Sequence, residues 1–137
     1  PGVSPHSRPD LARRYPLIGA TGLKLGIHTH TQYRTLPWIR AIEPDPFVEI
    51  HPKTAHELGV TDGELVILET PEGAIQIKAR LTEAVAPGVV MATHGWGQPY
   101  AHGPLSNDVT AERPRDPIAA ATGNRSFLCA IRKLEEK

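Results

Sequence analysis

The segment that most constrains the fold is residues 75–82, in which apolar and polar side chains alternate. A period of two residues places one set of side chains on each face of a β-strand, so that one face packs on a core and the other meets water. The buried set is Ile75, Ile77, Ala79 and Leu81, and the exposed set is Gln76, Lys78, Arg80 and Thr82. The sequence therefore predicts a half-buried strand in a sheet with one apolar face.

Further strands and turns surround this segment. Pro71-Glu72-Gly73 predicts a tight hairpin turn, and Pro87-Gly88 predicts the next turn. Pro52 suits the first position of a short helix that continues to Leu58, and Gly59 suits its left-handed end. The predicted strands are Tyr15 to Ala20, Phe47 to Ile50, Leu65 to Leu68, Ile75 to Leu81, Val89 to Ala92, and Phe127 to Ile131.

The remaining segments carry weaker signals. Thr35 to Ile42 is compatible with a short helix or with an extended cover. Gln98 to Arg115 is expected to be a long irregular loop, and Ile118 to Ala121 a turn of helix after Asp116-Pro117. From these segments we expect three parts: residues 1–14 as a linker or disordered tail, residues 15–134 as the folded domain, and residues 135–137 as a charged tail.

Composition excludes several classes of protein. The 137 residues contain 15 basic and 15 acidic side chains, and this balance argues against a general nucleic-acid binder. No apolar run approaches the roughly 20 residues of a membrane helix, so we expect no direct membrane insertion. The single cysteine, Cys129, excludes an internal disulfide or a multi-cysteine metal site, and its alternating surroundings favour a buried position over a nucleophile. A start at Pro1 suggests a piece of a longer polypeptide.

Glycine, threonine and histidine cluster where strands are predicted to end. The clusters lie at Thr21 to Gly26, His28 to Gln32, His94 to Gly97, and Asn107 to Thr110. Backbone N–H groups beside glycine can approach a ligand closely, and rows of them bind anions such as phosphate. The clusters therefore fit a phosphate-bearing ligand that lies across several loops, although each loop alone also fits an ordinary turn.

The seven histidines do not predict a metal site. No acidic residue stands beside His28 and His30 or beside His94 and His102, and no known zinc spacing is present. His51 is expected to cap the short helix. Trp96, between two glycines, fits either stacking on a ligand ring or covering the end of the apolar core.

Several short motifs occur along the chain in an order that resembles one protein family. They are Thr21-Gly22, His28-Thr29-x-Thr31, Pro46 to Pro52, Leu58-Gly59-Val60-x-Asp62-Gly63, Pro71-x-Gly73, Pro87 to Val90, His94 to Gly97, Asn107-x-x-Thr110 and Asp116-Pro117. The chain from about residue 15 to 134 resembles the C-terminal molybdopterin-dinucleotide-binding domain of the dimethyl sulfoxide reductase superfamily. That superfamily includes formate dehydrogenases and nitrate, thiosulfate and arsenate reductases.

The resemblance implies the fold, the cofactor and the site. The fold would be mainly β, a six-stranded double-psi β-barrel with one or two short helices and long loops. The cofactor would be a bis(molybdopterin guanine dinucleotide) with molybdenum or tungsten, shared with upstream domains. The metal ligand would lie upstream, so no residue here is assigned to catalysis or to metal. The residues implied in cofactor binding are Thr21, Gly22, Lys24, His28, Thr29, Thr31, His94, Gly95, Trp96, Gly97, Asn107 and Asp116.

Two positions depart from the family pattern. Members often carry arginine after Thr-Gly and after His-Thr-x-Thr, where this chain has Leu23 and Gln32, with Lys24 and Arg34 nearby. A lysine meets a phosphate without the bidentate geometry of arginine.

The resemblance also implies partners and leaves one alternative. The expected partners are upstream catalytic domains of the same polypeptide and an iron–sulfur electron-transfer subunit, in a prokaryotic oxidoreductase of the cytoplasm or periplasm. The alternative use of such a barrel is a protein-interaction module without cofactor.

Overall fold

The computed structural model describes residues 4–23, 26–27, 30–97, 103–104, 106–113, 115–123 and 125–134. These residues form six strands, three short α-helices and one turn of 3₁₀ helix. The strands are β1 (Leu17–Leu23), β2 (Phe47–Ile50), β3 (Leu65–Glu69), β4 (Ala74–Leu81), β5 (Val89–Thr93) and β6 (Phe127–Lys133). The helices are α1 (Pro9–Ala12), α2 (Pro37–Ile42) and α3 (Pro52–Leu58), and the 3₁₀ helix is Ser106–Val109.

The six strands close into a barrel in the order β1-β5-β2-β4-β3-β6. Two neighbouring pairs, β1 with β5 and β2 with β4, are parallel, and the other four are antiparallel. A closed barrel leaves no strand edge without a hydrogen-bonding neighbour. The predicted mainly β fold, a six-stranded double-psi barrel, is confirmed.

The apolar core fills the inside of this barrel. Along β4, Ile75, Ile77 and Ala79 are buried while the residues between them are exposed, which confirms the period of two as far as Ala79. The predicted alternation does not continue beyond it, because residues 80–82 are all half-buried. Val48, Val66 and Leu68 of neighbouring strands have no exposed surface. Barrel diameter grows with strand number, and the interior of a six-stranded barrel is narrow enough to be filled by packed side chains.

Polar side chains tie the connections to the barrel. The Thr93 hydroxyl accepts from the Phe47 amide and donates to the Phe47 carbonyl, each at 3.1 Å, which joins β5 to β2 inside the protein. His51 caps α3 as predicted, because its Nδ1 accepts from the Lys53 amide at 3.0 Å. Gly59 ends α3 with a φ of 67°, the left-handed conformation that glycine adopts at low cost.

The prediction of a helix from Ile118 to Ala121 is wrong. The Asp116 carboxylate accepts from the Ile118 amide at 2.9 Å and from the Ala119 amide at 2.6 Å, and Ala120 has a φ of 53°. These bonds make a local turn, which competes with a helix for the same amides. Ile118 is 95% exposed, so burial of its side chain does not stabilise a helix there.

The loop expected to be irregular contains the 3₁₀ helix Ser106–Val109. Val109 has no exposed surface and belongs to the core cluster, so it anchors this turn on the barrel. The backbone packs closely as well, because a Cβ added to Gly73 would lie 2.5 Å from the Asp108 carbonyl oxygen.

The sequence of Thr35 to Ile42 was compatible with a helix or with an extended cover. In the structure this segment contains the helix α2, with Ile39 buried.

Cys129 is buried, as predicted, with no exposed surface. Burial raises the pKa of its thiol to about 12, so it is a thiol and not a nucleophilic thiolate at neutral pH.

In the described part of the chain, no helix has the length and hydropathy needed to cross a membrane.

Candidate functional site

A cavity of about 850 Å³ opens where β1 and β5 end. These two strands are parallel neighbours, so the loops that follow them leave the barrel at the same edge. The described lining residues are Ala20, Thr21, Gly22, His30, Thr31, Met91, His94, Gly95, Trp96, Ser106, Asn107 and Arg125. They come from five separate parts of the sequence, which the barrel brings together.

A bulge shapes the first wall of the cavity. The strand β1 continues to Leu23, beyond its predicted end at Ala20, and its register with β5 shifts between Thr21 and Leu23. Gly22 lies at this shift with a φ of 104°, and a Cβ added there would meet nothing within 4 Å. A bulge leaves a residue out of the strand ladder, and glycine allows the backbone conformation that this needs. The Gly22 backbone therefore borders open space beside the cavity.

The second wall is built from two loops in close contact. The His94 Nε2 and His30 Nδ1 atoms lie 2.8 Å apart, and the two rings meet edge to face with centroids 4.4 Å apart. A Cβ added to Gly95 would lie 2.4 Å from the His30 carbonyl carbon, so only glycine fits between the two backbones. His30 itself has a φ of 51°, which is uncommon for a residue with a side chain.

Trp96 is the aromatic part of the same wall. It is 5% exposed and still borders the cavity, so it covers the barrel end. The guanidinium carbon of Arg34 lies 4.0 Å from the centre of the tryptophan ring, which is cation–π geometry. Arg34 is itself 4% exposed.

The cavity gathers part of the residue set implied by the family resemblance. Those that line it are Thr21, Gly22, Thr31, His94, Gly95, Trp96 and Asn107. Gly97 and Asp116 are not among the described lining residues, and Asp116 organises the turn that follows it. Lys24, His28 and Thr29 lie outside the described residues. Cofactor contact by each of these residues stays a prediction.

Other lining residues had no distinct signal in the sequence. Arg125 and Ser106 face the cavity from the segments before β6 and in the 3₁₀ helix. His30 was visible only as one member of a polar run, and its partner is His94, more than sixty residues away. A contact of this separation cannot be found from local spacing, because it depends on how the barrel closes.

The charge of the cavity favours an anion. Its described lining contains the cation Arg125 and no carboxylate. The hydroxyls of Thr31 and Ser106 and the amide of Asn107 add neutral hydrogen-bond donors. No group of three or more His, Cys, Asp or Glu side chains that could hold a metal ion occurs among the described residues.

Residues 21–127 match the family model described as "Molydopterin dinucleotide binding domain". The match begins at the bulge of β1 and ends at the start of β6, so it contains every described lining residue except Ala20. This chain belongs to the molybdopterin dinucleotide binding domain family.

Relatives of this molybdopterin dinucleotide binding domain are much longer proteins. The chain is 34% identical over 131 residues to the dopamine dehydroxylase of Eggerthella lenta, covering 90% of the chain and 13% of that protein. It is 31% identical over 119 residues to the assimilatory nitrate reductase catalytic subunit of Bacillus subtilis, covering 86% of the chain and 16% of that protein. Among solved structures, acetylene hydratase from Pelobacter acetylenicus superposes with a TM-score of 0.84 at 28% identity, over 96% of the chain and 20% of that protein.

The cavity suits the dinucleotide that gives the domain family its name. A pyrophosphate needs N–H and O–H donors without nearby carboxylates, and the described lining has this character. The open space above Gly22 allows a close approach to backbone, and the Trp96 wall offers an apolar surface to a ring system. The family match favours this interpretation over the interaction-module alternative.

Proposed function

We propose that this cavity binds the dinucleotide part of a bis(molybdopterin guanine dinucleotide), and that the chain serves as a cofactor-binding domain of a larger molybdenum or tungsten oxidoreductase. The observation that carries the proposal is the cavity lining, which combines donors from four chain segments with Arg125 and no carboxylate among its described residues. A dianionic diphosphate is the group that such a lining recognises best.

Each wall would have its own task. The Gly22 bulge and Thr31 would donate to phosphate oxygens, while Asn107 and Ser106 would close over the nucleotide from the 3₁₀ helix. His94, Gly95 and Trp96 would form the side that orients the ring system. The bound cofactor supplies the two-electron redox chemistry, and the protein supplies binding, orientation and exclusion of water.

The names of the relatives support a cofactor site and not a substrate site. By their printed names, these proteins act on dopamine, nitrate and acetylene, which share no recognisable group. A domain common to them is therefore expected to hold what their reactions share. The rest of the polypeptide would provide the metal ligand and the substrate pocket, and an iron–sulfur subunit would exchange electrons with it.

An amide chemical-shift titration of the 137-residue chain with GDP tests the proposal. GDP carries the guanine and the diphosphate, and we expect weak binding because it lacks the pterin. Shifts should concentrate on Thr21 to Lys24, His28 to Thr31, His94 to Gly97, and Asn107. Guanosine, which lacks the diphosphate, should bind more weakly, because the phosphate donors would have no partner.

Two matched substitutions sharpen the titration. Thr31→Ala removes a hydroxyl from the cavity lining and should weaken GDP binding, whereas Thr61→Ala removes one from the turn before β3 and should not. Absence of GDP shifts in the cavity segments would refute the proposal. A response of the exposed barrel face to peptides alone would instead favour the interaction module.

A further inference from the structure

Arg34 is a buried cation directly behind the cavity wall. It is 4% exposed and is not among the described lining residues. Its Nε donates to the His30 carbonyl and its Nη2 donates to the His94 carbonyl, each at 2.7 Å. One guanidinium therefore joins two loops that are sixty-four residues apart in the chain at the atoms of the histidine pair.

The two loops are packed so closely that little displacement of either is possible. The His30 and His94 rings are hydrogen-bonded at 2.8 Å, and the Gly95 backbone lies against the His30 carbonyl. The left-handed backbone of His30 is costly by about 1 kcal/mol or more for a residue with a Cβ. A fixed donor at the His30 carbonyl compensates that cost, and Arg34 is the residue that provides it.

The charge of Arg34 is only partly balanced. Its two hydrogen-bond acceptors are neutral carbonyls, and it also lies over the ring face of Trp96. Its Nη1 is buried without a hydrogen-bond partner among the described residues. Burial lowers the pKa of Arg34 to about 10, while the charge of Glu43 acts in the opposite direction. The guanidinium is therefore still charged at neutral pH, and Glu43 is itself bonded to Arg80 at 2.8 Å.

We propose that Arg34 is a positioning residue of the dinucleotide site, which holds the His30 and His94 loops together as one wall and places a positive charge behind it. The inference rests on the proposed function, because the charge matters only if the cavity takes an anionic ligand. Arginine suits the task since its planar fork meets two carbonyls at once and stacks on an aromatic face, which lysine cannot do.

Two substitutions separate geometry from charge. Arg34→Lys keeps the charge and loses the fork, and Arg34→Met keeps the apolar stem and loses both. We expect Arg34→Lys to weaken GDP binding about tenfold, because lysine cannot hold both carbonyls at once and the wall must then be ordered when GDP binds. Arg34→Met should weaken it further and should also flatten the dependence of GDP binding on NaCl concentration, because the screened attraction is gone.

A measurement without ligand tests the positioning directly. The imidazole nitrogens of His30 and His94, followed by ¹⁵N-edited spectra, should report a hydrogen bond between the rings in the unsubstituted chain. In both Arg34 variants the two signals should move toward those of isolated imidazoles, because the loops separate. The matched control is Arg80→Lys, since Arg80 also lies over an aromatic ring, that of Phe47 at 3.4 Å, but outside the described cavity lining.

The outcomes separate the two proposals. If the unsubstituted chain does not bind GDP, the proposed function fails, and the histidine signals still decide whether Arg34 positions the loops. If it binds GDP and Arg34→Lys changes neither affinity nor histidine signals, the inference is overturned. It is equally overturned if Arg80→Lys weakens GDP binding as much as Arg34→Lys does. Should Arg34→Met fail to fold, Arg34→Lys decides.

Discussion

Gly95 is the residue at which the backbones of the two cavity loops touch. Its φ is 80°, and an added Cβ would lie 2.4 Å from the His30 carbonyl carbon and 2.5 Å from its oxygen. Gly63 has a similar φ of 77°, but an added Cβ there would meet nothing within 4 Å. The two glycines have similar φ angles and differ in what an added Cβ would meet.

This difference makes a matched pair of alanine substitutions. Both should lose about 1–2 kcal/mol of unfolding free energy from the left-handed backbone. Gly95→Ala should in addition displace the His30 loop and weaken GDP binding, whereas Gly63→Ala should leave GDP binding unchanged. Urea unfolding and the GDP titration measure the two effects. Equal GDP affinity of the two variants would contradict the close packing at Gly95.

At the scale of single elements, the strand β3 contains both a buried and an exposed leucine. Leu68 has no exposed surface, while Leu65 on the same strand is 42% exposed. Leu68→Ala should cost about 2–5 kcal/mol of unfolding free energy, because it leaves a cavity in a closed barrel. Leu65→Ala is the control and should cost less than about 1 kcal/mol. Urea denaturation of both variants checks the prediction, and similar midpoints would contradict the core position of Leu68.

Elements with a strong local signal were predictable from the sequence. The alternation of β4, the turn at Pro71-Glu72-Gly73 and the glycine end of α3 are decided by neighbouring residues. The segment after Asp116 was mispredicted, because the side-chain bonds of Asp116 outweigh the helix preference of three alanines. The sequence prediction ended β1 too early, because the glycine of the bulge, Gly22, gives the same sequence signal as a glycine in a turn.

The candidate site was predictable only in part, for a related reason. Thr21, Gly22 and His94 to Trp96 stand in glycine-containing segments that suggest a ligand before any fold is known. Arg125 carries no such signal, and Arg34 was noted only as an arginine two residues beyond the place where the family often has one. The surroundings of both come from the closure of the barrel. Which distant residues meet is set by the strand topology. Patterns of neighbouring residues in the sequence therefore do not identify these partners.

At the scale of the whole molecule, ion pairs cross the seam between β3 and β6. Glu69 is bonded to Arg132 at 2.7 Å, and Glu64 pairs with Lys133 at 3.2 Å. The hydrogen bond from Arg132 lowers the pKa of Glu69, and that from the Thr61 amide lowers the pKa of Glu64. Both pKa values lie below those of the unfolded chain, so these groups stabilise the barrel above the ordinary carboxyl range.

Stability should therefore fall as pH drops below about 4.5, where the unfolded chain takes up protons before the folded one does. Glu69→Gln should reduce that fall, and its effect at neutral pH should be small because the pair is at the surface. Thermal unfolding of both chains at pH 7 and at pH 3.5 measures the change. An identical pH dependence would show that the seam pairs contribute nothing measurable.

The position of β1 between β5 and β6 has a consequence for how the protein is made. Ile18 lies in register with Val89 on one side and with Leu128 on the other, so β1 pairs with the two strands that come last in the chain. A high contact order of this kind slows folding, because β1 has no barrel neighbour until β5 (Val89–Thr93) and then β6 (Phe127–Lys133) have been synthesised. The hairpin of β3 and β4, joined by residues 70–73, pairs segments that are adjacent in sequence, so it can form before β1 is paired.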